Sequence, residues 1–256
     1  MSDEILRWAD WTSPVPPVER EVVSRLVEGE TEQPPLLFVP GPGHGAWAFA
    51  ERWLGHAANR GFPAHALTPR EGGDLRAHVH DVRQVAASLP RQAVLIGHGS
   101  GAAVVAQALA RYPARVAVLV APVLSKWGAI GTAFKTNPLG TTPAVFGGRQ
   151  RLSRRQHFSD ALPAEDADRY LARISARRPF STKNPGKAVG GPPVLVVGSP
   201  DDRVVSRKAL DSTAAAYGGA PLLFPGMGHD MMLDAGWAEP IDAILDWLTK
   251  ELSVTS

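Results

Sequence analysis

The sequence predicts an α/β fold built on a mostly parallel sheet with helices on both faces. Short, wholly apolar runs recur along the chain, and segments with apolar residues at helical spacing separate them. Strands buried on both faces read as continuous apolar runs, and their alternation with helices marks a covered parallel sheet. Glycine, histidine and aspartate also gather just after several of these runs. Open parallel sheets concentrate their chemistry there, at the carboxyl ends of the strands.

Taken in order, residues 1 to about 34 give no clear element. Val22, Val23, Leu26 and Val27 suit either a short helix or an edge strand, and Pro14, Pro16, Pro17, Pro34 and Pro35 punctuate the segment. Leu36-Leu37-Phe38-Val39 predicts a buried strand, closed by Pro40-Gly41-Pro42-Gly43. Trp47 to Asn59 carries helical spacing and stops at Arg60-Gly61. A strand over Pro63 to Leu67 and a helix over Leu75 to Leu89 follow, then the apolar strand Ala93-Val94-Leu95-Ile96. An Ala- and Val-rich helix from about Ala102 to Arg111 precedes another apolar strand, Val116 to Val120. From Pro122 to about Gly191 the alternation breaks. One helix, Ala164 to Ile174, stands out in a stretch rich in Gly and Pro. A long insertion of this kind predicts a lid or binding loop over about 123–190. Val194 to Val197 resumes the sheet, and Leu222 to Phe224 supplies a last strand. A final helix begins near Pro240, with Ile241, Ile244, Leu245, Leu248 and Leu252 on one face. The whole of 1–256 reads as one domain carrying this insertion.

Composition narrows the function classes. The 256 residues are 44% hydrophobic and 20% charged, with a formal net charge of +2, the profile of an ordinary globular chain. The cluster Arg149, Arg151, Arg154 and Arg155 lacks interleaved aromatics and reads as solvated surface, so no nucleic-acid partner is expected. The absence of cysteine excludes disulfides, zinc fingers and thiol chemistry. The start, MSDEILRWADW, has early acids and no apolar stretch, and no run approaches the length of a membrane span. A cytoplasmic location is therefore expected.

The chemistry lies in the loops after the strands. PGPGHGAW runs from Pro40, GHGSGA from Gly97, DDRVV from Asp201 and GHDMML from Gly228. Together these stretches resemble the α/β-hydrolase superfamily, in particular its small lysophospholipase-like and esterase-like members with a modest helical lid. The resemblance spans roughly residues 35 to 250. It implies that His229 is the general base and that Asp202 orients and stabilises its imidazole. Asp201 is the alternative acid. Asp202 is preferred because Arg-Val-Val follows it, as in the family, and the other aspartate suits a turn cap.

Two departures from the family stand together. The family fingerprint G-x-S-x-G places a nucleophile at the tip of a strained strand-to-helix turn, and here that position is Gly99. Ser100 is the alternative nucleophile, but His98 and Ala102 would then flank the turn, and His98 would crowd it. The second departure lies in the oxyanion loop, where His-Gly has become Pro40-Gly41 and the donor position holds Pro42, which has no N–H. One lost oxyanion donor costs on the order of 10²–10³ in rate.

The other motifs carry less. Gly97-x-Gly99-x-x-Ala102 matches a dinucleotide-binding pattern, yet it sits in the third α/β unit and no acid ends the next strand. His78 and His80 stand i,i+2 on a helix and cannot ligate one metal together. No metal and no cofactor are expected. The resemblance places Gly41, His44 and His98 around the pocket, with Trp127 and Phe134 as apolar contributions from the insertion. The resulting expectation is a non-hydrolytic enzyme using His229 and Asp202 in acid–base chemistry on a hydrophobic small molecule. Cyclisation, elimination, isomerisation and lyase-type steps, as in natural-product biosynthesis, all suit such a dyad. The alternatives are an esterase or lipase inactivated by serine-to-glycine change at position 99, and a non-catalytic ligand-binding protein.

Overall fold

The computed structural model describes residues 14–16, 18–41, 43–146, 148–149, 151–176 and 187–254, with backbone alone at 126–129, 136, 144 and 254. Its sheet has seven strands: β1 (Val22–Arg25), β2 (Leu36–Val39), β3 (Ala64–Leu67), β4 (Val94–His98), β5 (Ala117–Val120), β6 (Val194–Gly198) and β7 (Leu222–Leu223). Their spatial order is β1-β3-β2-β4-β5-β6-β7. Every neighbouring pair is parallel except β1 with β3, which is antiparallel. The ambiguous segment around Val22 is thus an edge strand.

Alternate residues of each strand feed opposite faces, as the period of two requires. Leu36, Phe38, Ile96 and Val118 pack with Phe49, Trp53, Leu54, Ile241, Ile244 and Leu248. These come from α1 (Trp47–Ala50), α2 (Trp53–Asn59) and, at the other end of the chain, the long helix Ala238–Val254. Leu37, Val39, Leu95 and Leu119 pack on the second face with Val79, Val82, Val105 and Leu210, from α3 (Leu75–Ser88), α4 (Gly101–Ala108) and the helix Arg207–Ala216. Two apolar layers therefore hold the sheet, and its polar loops are left at the strand ends.

Two sequence expectations change. The single helix over Trp47 to Asn59 is two, because Arg52 leaves helical geometry with φ −138° and ψ −58°. The insertion holds more helix than its glycines and prolines suggest: α5 (Lys126–Thr136), α6 (Pro138–Val145) and α7 (Arg154–His157) precede α8 (Ala164–Leu171). The helix Arg207–Ala216 is α9 and Ala238–Val254 is α10. Among the described residues no helix is long and apolar enough to cross a membrane.

Candidate active site

The turn between β4 and α4 is shaped by three glycines. A Cβ at Gly97 would lie 2.7 Å from Ala102 Cα, and one at Gly101 would lie 2.6 Å from the Pro40 carbonyl oxygen. Only hydrogen fits at either place, so the backbone crosses β2 at close range. Gly99, between them, has φ +56°. Its N–H donates to the Val120 carbonyl (3.0 Å), and its own carbonyl accepts from Ala102 (3.2 Å) and Val123 (2.9 Å). The strained tip expected at position 99 is therefore occupied by glycine and pinned on both sides.

His229 faces that tip. A Cβ on Gly99 would stand 3.2 Å from His229 Nε2. The other ring nitrogen, Nδ1, bonds Asp202 Oδ2 at 2.8 Å. Asp202 is fixed in turn, since its Oδ1 accepts the N–H groups of Val204 (2.6 Å) and Val205 (3.0 Å). Asp201 turns away and accepts the Gly226 N–H at 2.7 Å, a turn-clamping role. Ser100 lies beside the loop after β2. Its Oγ would lie 3.3 Å from a Cβ on Gly41, whose loop also runs beside the Ser100 amide. Pro42 lies outside the described residues.

The electrostatics follow from burial and charge. Burial lowers the His229 pKa, but the Asp202 charge and hydrogen bond, with Asp230 behind them, raise it more, and the net direction is upward. His98 goes the other way. Its buried ring, beside His229, is pushed down to about 3, so it stays neutral and donates from Nε2 to the His229 carbonyl at 3.0 Å. That bond fixes the backbone of the proposed base.

The two imidazoles oppose each other in stability. Between pH 6.5 and about 3 the unfolded chain binds a proton at residue 98 that the folded chain refuses. Stability should therefore fall with decreasing pH by about 1.4 kcal/mol per unit from this group. His229, with its pKa raised, adds stability that is full below 6.5 and lost as pH rises through its folded value. His229, His44 and Asp230 all act on the His98 ring. In urea unfolding across pH 4 to 6.5, His98→Gln should show a shallower acid decline than wild type. Equal slopes would refute the neutral assignment.

Sequence reasoning missed two residues. Asp230, fully buried, accepts from His44 Nε2 at 2.8 Å and from His157 Nδ1 at 2.9 Å on the same oxygen. His157 ends α7 in the insertion, and nothing in its local sequence marks it. Asp230 carried one signal, its place directly after His229. Asp234 ties the insertion to the same loop, accepting from Ser159 N (2.9 Å), Ser159 Oγ (2.7 Å) and Gly228 N (2.7 Å). Gly228 permits this contact, because a Cβ there would meet Phe158 Cα at 2.6 Å.

His44, His157 and Asp230 have donor atoms within 4.8 Å of one another, as do His98, His229 and Asp230. These sets could hold a metal ion, but the Asp230 contacts to His44 and His157 are already those of N–H groups donating to a carboxylate. Trp127 lies on α5 with its side chain outside the described set. Phe134, the other apolar candidate from the insertion, lies on α5 and is 45% exposed.

Solved structures of similar fold include a soluble variant of monoglyceride lipase from Saccharomyces cerevisiae bound to a substrate analogue. It shares 11% identity and a TM-score of 0.70, over 93% of this chain and 96% of that one. A monoacylglycerol lipase from Paleococcus ferrophilus shares 15% identity and a TM-score of 0.69, over 91% and 100%. An esterase from Exiguobacterium antarcticum shares 13% identity and a TM-score of 0.68, over 90% and 95%. No curated protein sequence matches the chain. The model of the alpha/beta hydrolase family matches residues 36–246, which takes in β2, the glycine turn, the Asp202 turn and the His229 loop, and the chain belongs to that family.

Proposed function

We propose that this chain is an enzyme of the α/β-hydrolase fold that transfers protons through His229, oriented by Asp202, and forms no acyl-enzyme. The observation that carries this reading is the pairing of an intact histidine–carboxylate dyad with Gly99 at the tip the imidazole faces, 3.2 Å from where a Cβ would stand. Glycine offers no nucleophile, and the missing CH₂OH leaves room for a substrate atom beside Nε2. A positioned imidazole serves as general base and then acid without a covalent intermediate, an effect typically worth about 10²–10⁴ in rate. The reactions that suit it are cyclisation, elimination, isomerisation and lyase-type steps on a small molecule, with helices α5 to α8 as its lid.

Similarity to lipases and an esterase favours a second reading, an inactivated hydrolase. A third, pure ligand binding, has little use for an oriented dyad.

Hydrolysis of p-nitrophenyl acetate by wild type, Gly99→Ser and Gly99→Ser with Pro42→Ala separates these readings. Wild type should stay at background. Gly99→Ser alone should remain a poor esterase, because proline leaves the oxyanion hole one donor short. The double variant should gain on the order of 10²–10³ over the single one. Vigorous hydrolysis by Gly99→Ser alone would overturn the proposal in favour of the inactivated esterase.

A further inference from the structure

The insertion carries a surface that proton transfer at His229 leaves unused. Along α6 and one residue past its end, Leu139, Thr142, Pro143 and Phe146 stand at i, i+3, i+4 and i+7, so they share one face. All four are exposed, whereas Thr141, on the other side of the helix, is fully buried. The Thr142 hydroxyl donates back to the Pro138 carbonyl at 2.7 Å, which turns the one polar group of the stripe into the helix. Leu139 and Phe146 are 89% and 86% exposed. Both stand clear of the protein as apolar knobs rather than lining a groove. Large apolar side chains exposed together in this way mark an interaction surface.

Cations flank these knobs. After Phe146 the chain runs back along α6: the Gly148 N–H donates to the Pro143 carbonyl at 2.7 Å, and the Arg151 N–H donates to the Gly140 carbonyl at 3.2 Å. The Arg151 carbonyl also accepts from Asn137 Nδ2 at 3.1 Å. The fold therefore sets Arg149 and Arg151 beside the helix, and both are exposed. Arg155, on α7, is exposed as well, and Arg203 Nη1 reaches its carbonyl at 3.1 Å, which adds a further cation. Between Asp81 and Asp160 the sequence holds no carboxylate. Asp160 itself stands 3.9 Å from Arg155 Nε, with both side chains largely in solvent, where such a pair is weak. The arginine cluster is solvated, as its composition suggests, but it borders an apolar stripe.

We propose that this face docks the protein on an anionic lipid surface, with Leu139 and Phe146 seated among the acyl chains and Arg149, Arg151 and Arg155 among the headgroups. Apolar side chains bordered by arginine suit the boundary between acyl chains and anionic headgroups, and such docking needs no spanning helix. A fluid surface also accepts protruding side chains without a matching pocket. A second copy of the chain suits the face less, because a two-fold contact through it would bring the arginines against their own counterparts. The assignment stands whether or not His229 transfers protons, because it rests on different side chains.

The test is flotation of the full chain with vesicles of phosphatidylcholine, alone or mixed with phosphatidylserine, together with sedimentation velocity in the absence of lipid. The protein should bind the mixed vesicles about tenfold or more tightly than phosphatidylcholine alone, and high salt should release it. Arg149→Gln, Arg151→Gln and Arg155→Gln should each weaken that binding about fivefold. Leu139→Ser with Phe146→Ser should weaken it by about tenfold or more, having lost the inserted apolar surface. All five positions are exposed, so the variants should melt with the wild type by circular dichroism. Binding to neither vesicle, equal binding to both, or full binding by the Leu139→Ser, Phe146→Ser protein would each overturn the assignment. A dimer in sedimentation that the same two substitutions dissolve would give the face to a second copy and overturn it as well.

Discussion

Gly101→Ala should cost roughly 4 kcal/mol or more of folding stability, a loss of the size that only a few mechanisms produce. The new methyl would lie 2.6 Å from the Pro40 carbonyl oxygen and closer still to that of Val39. Both are backbone atoms of the strand-to-loop passage after β2, and neither can rotate aside. Relief would require β2 and α4 to separate, which breaks the apolar layer shared by Val39, Leu95, Ala102 and Val105. Two other glycines calibrate the effect. Gly99→Ala meets nothing closer than His229 Nε2 at 3.2 Å, so its cost should be the 1–2 kcal/mol of a left-handed alanine. Gly55, inside α2, has open space around it, and Gly55→Ala should stabilise by about 0.5–1 kcal/mol. Urea unfolding followed by circular dichroism gives all three values. A Gly101→Ala protein as stable as Gly99→Ala would show that the close crossing of α4 on β2 is wrong.

Asp230→Ala should cost about 3–5 kcal/mol, the range for removing one partner of a buried charged cluster. Two imidazole N–H groups would lose the carboxylate oxygen they donate to, at 2.8 Å and 2.9 Å. The damage should spread to the insertion, since His157, at the end of α7, loses the carboxylate to which its Nδ1–H donates at 2.9 Å. Limited proteolysis should therefore cut between α5 and α8 sooner in this variant. The pH dependence has a definite sign. A carboxyl depressed in the folded state adds stability that is present above its unfolded value, 3.8, and is lost as pH falls through its folded value. The gap between wild type and Asp230→Ala should be full at neutral pH, begin to narrow as pH falls to 3.8, and go on narrowing down to the depressed folded value. A gap that closes by pH 5 would mean that Asp230 is not held ionised by its neighbours.

Much of the fold and half of the site were legible in the sequence. The runs at Leu36, Val94, Ala117 and Val194 are strands, because a strand buried on both faces must be apolar throughout. The spacing of glycines 97, 99 and 101 marks the strand-to-helix turn, because only hydrogen fits where that turn crosses β2. The loops holding Asp202 and His229 follow strands, so their meeting at 2.8 Å is a consequence of parallel topology. Local pattern also carried the glycine at the tip, position 99, with its φ of +56°. The tertiary structure alone decided the rest. The helices α5 to α7 lack a clear apolar period, so their local sequence does not announce them. His157 and Asp230 are 73 positions apart, and His44 and Asp230 are 186 apart. No window of sequence holds such pairs. A polar side chain is buried only where distant partners satisfy it, so the surroundings of Asp230 become visible only when the loops after β2 and β7 and the end of α7 converge on one carboxylate.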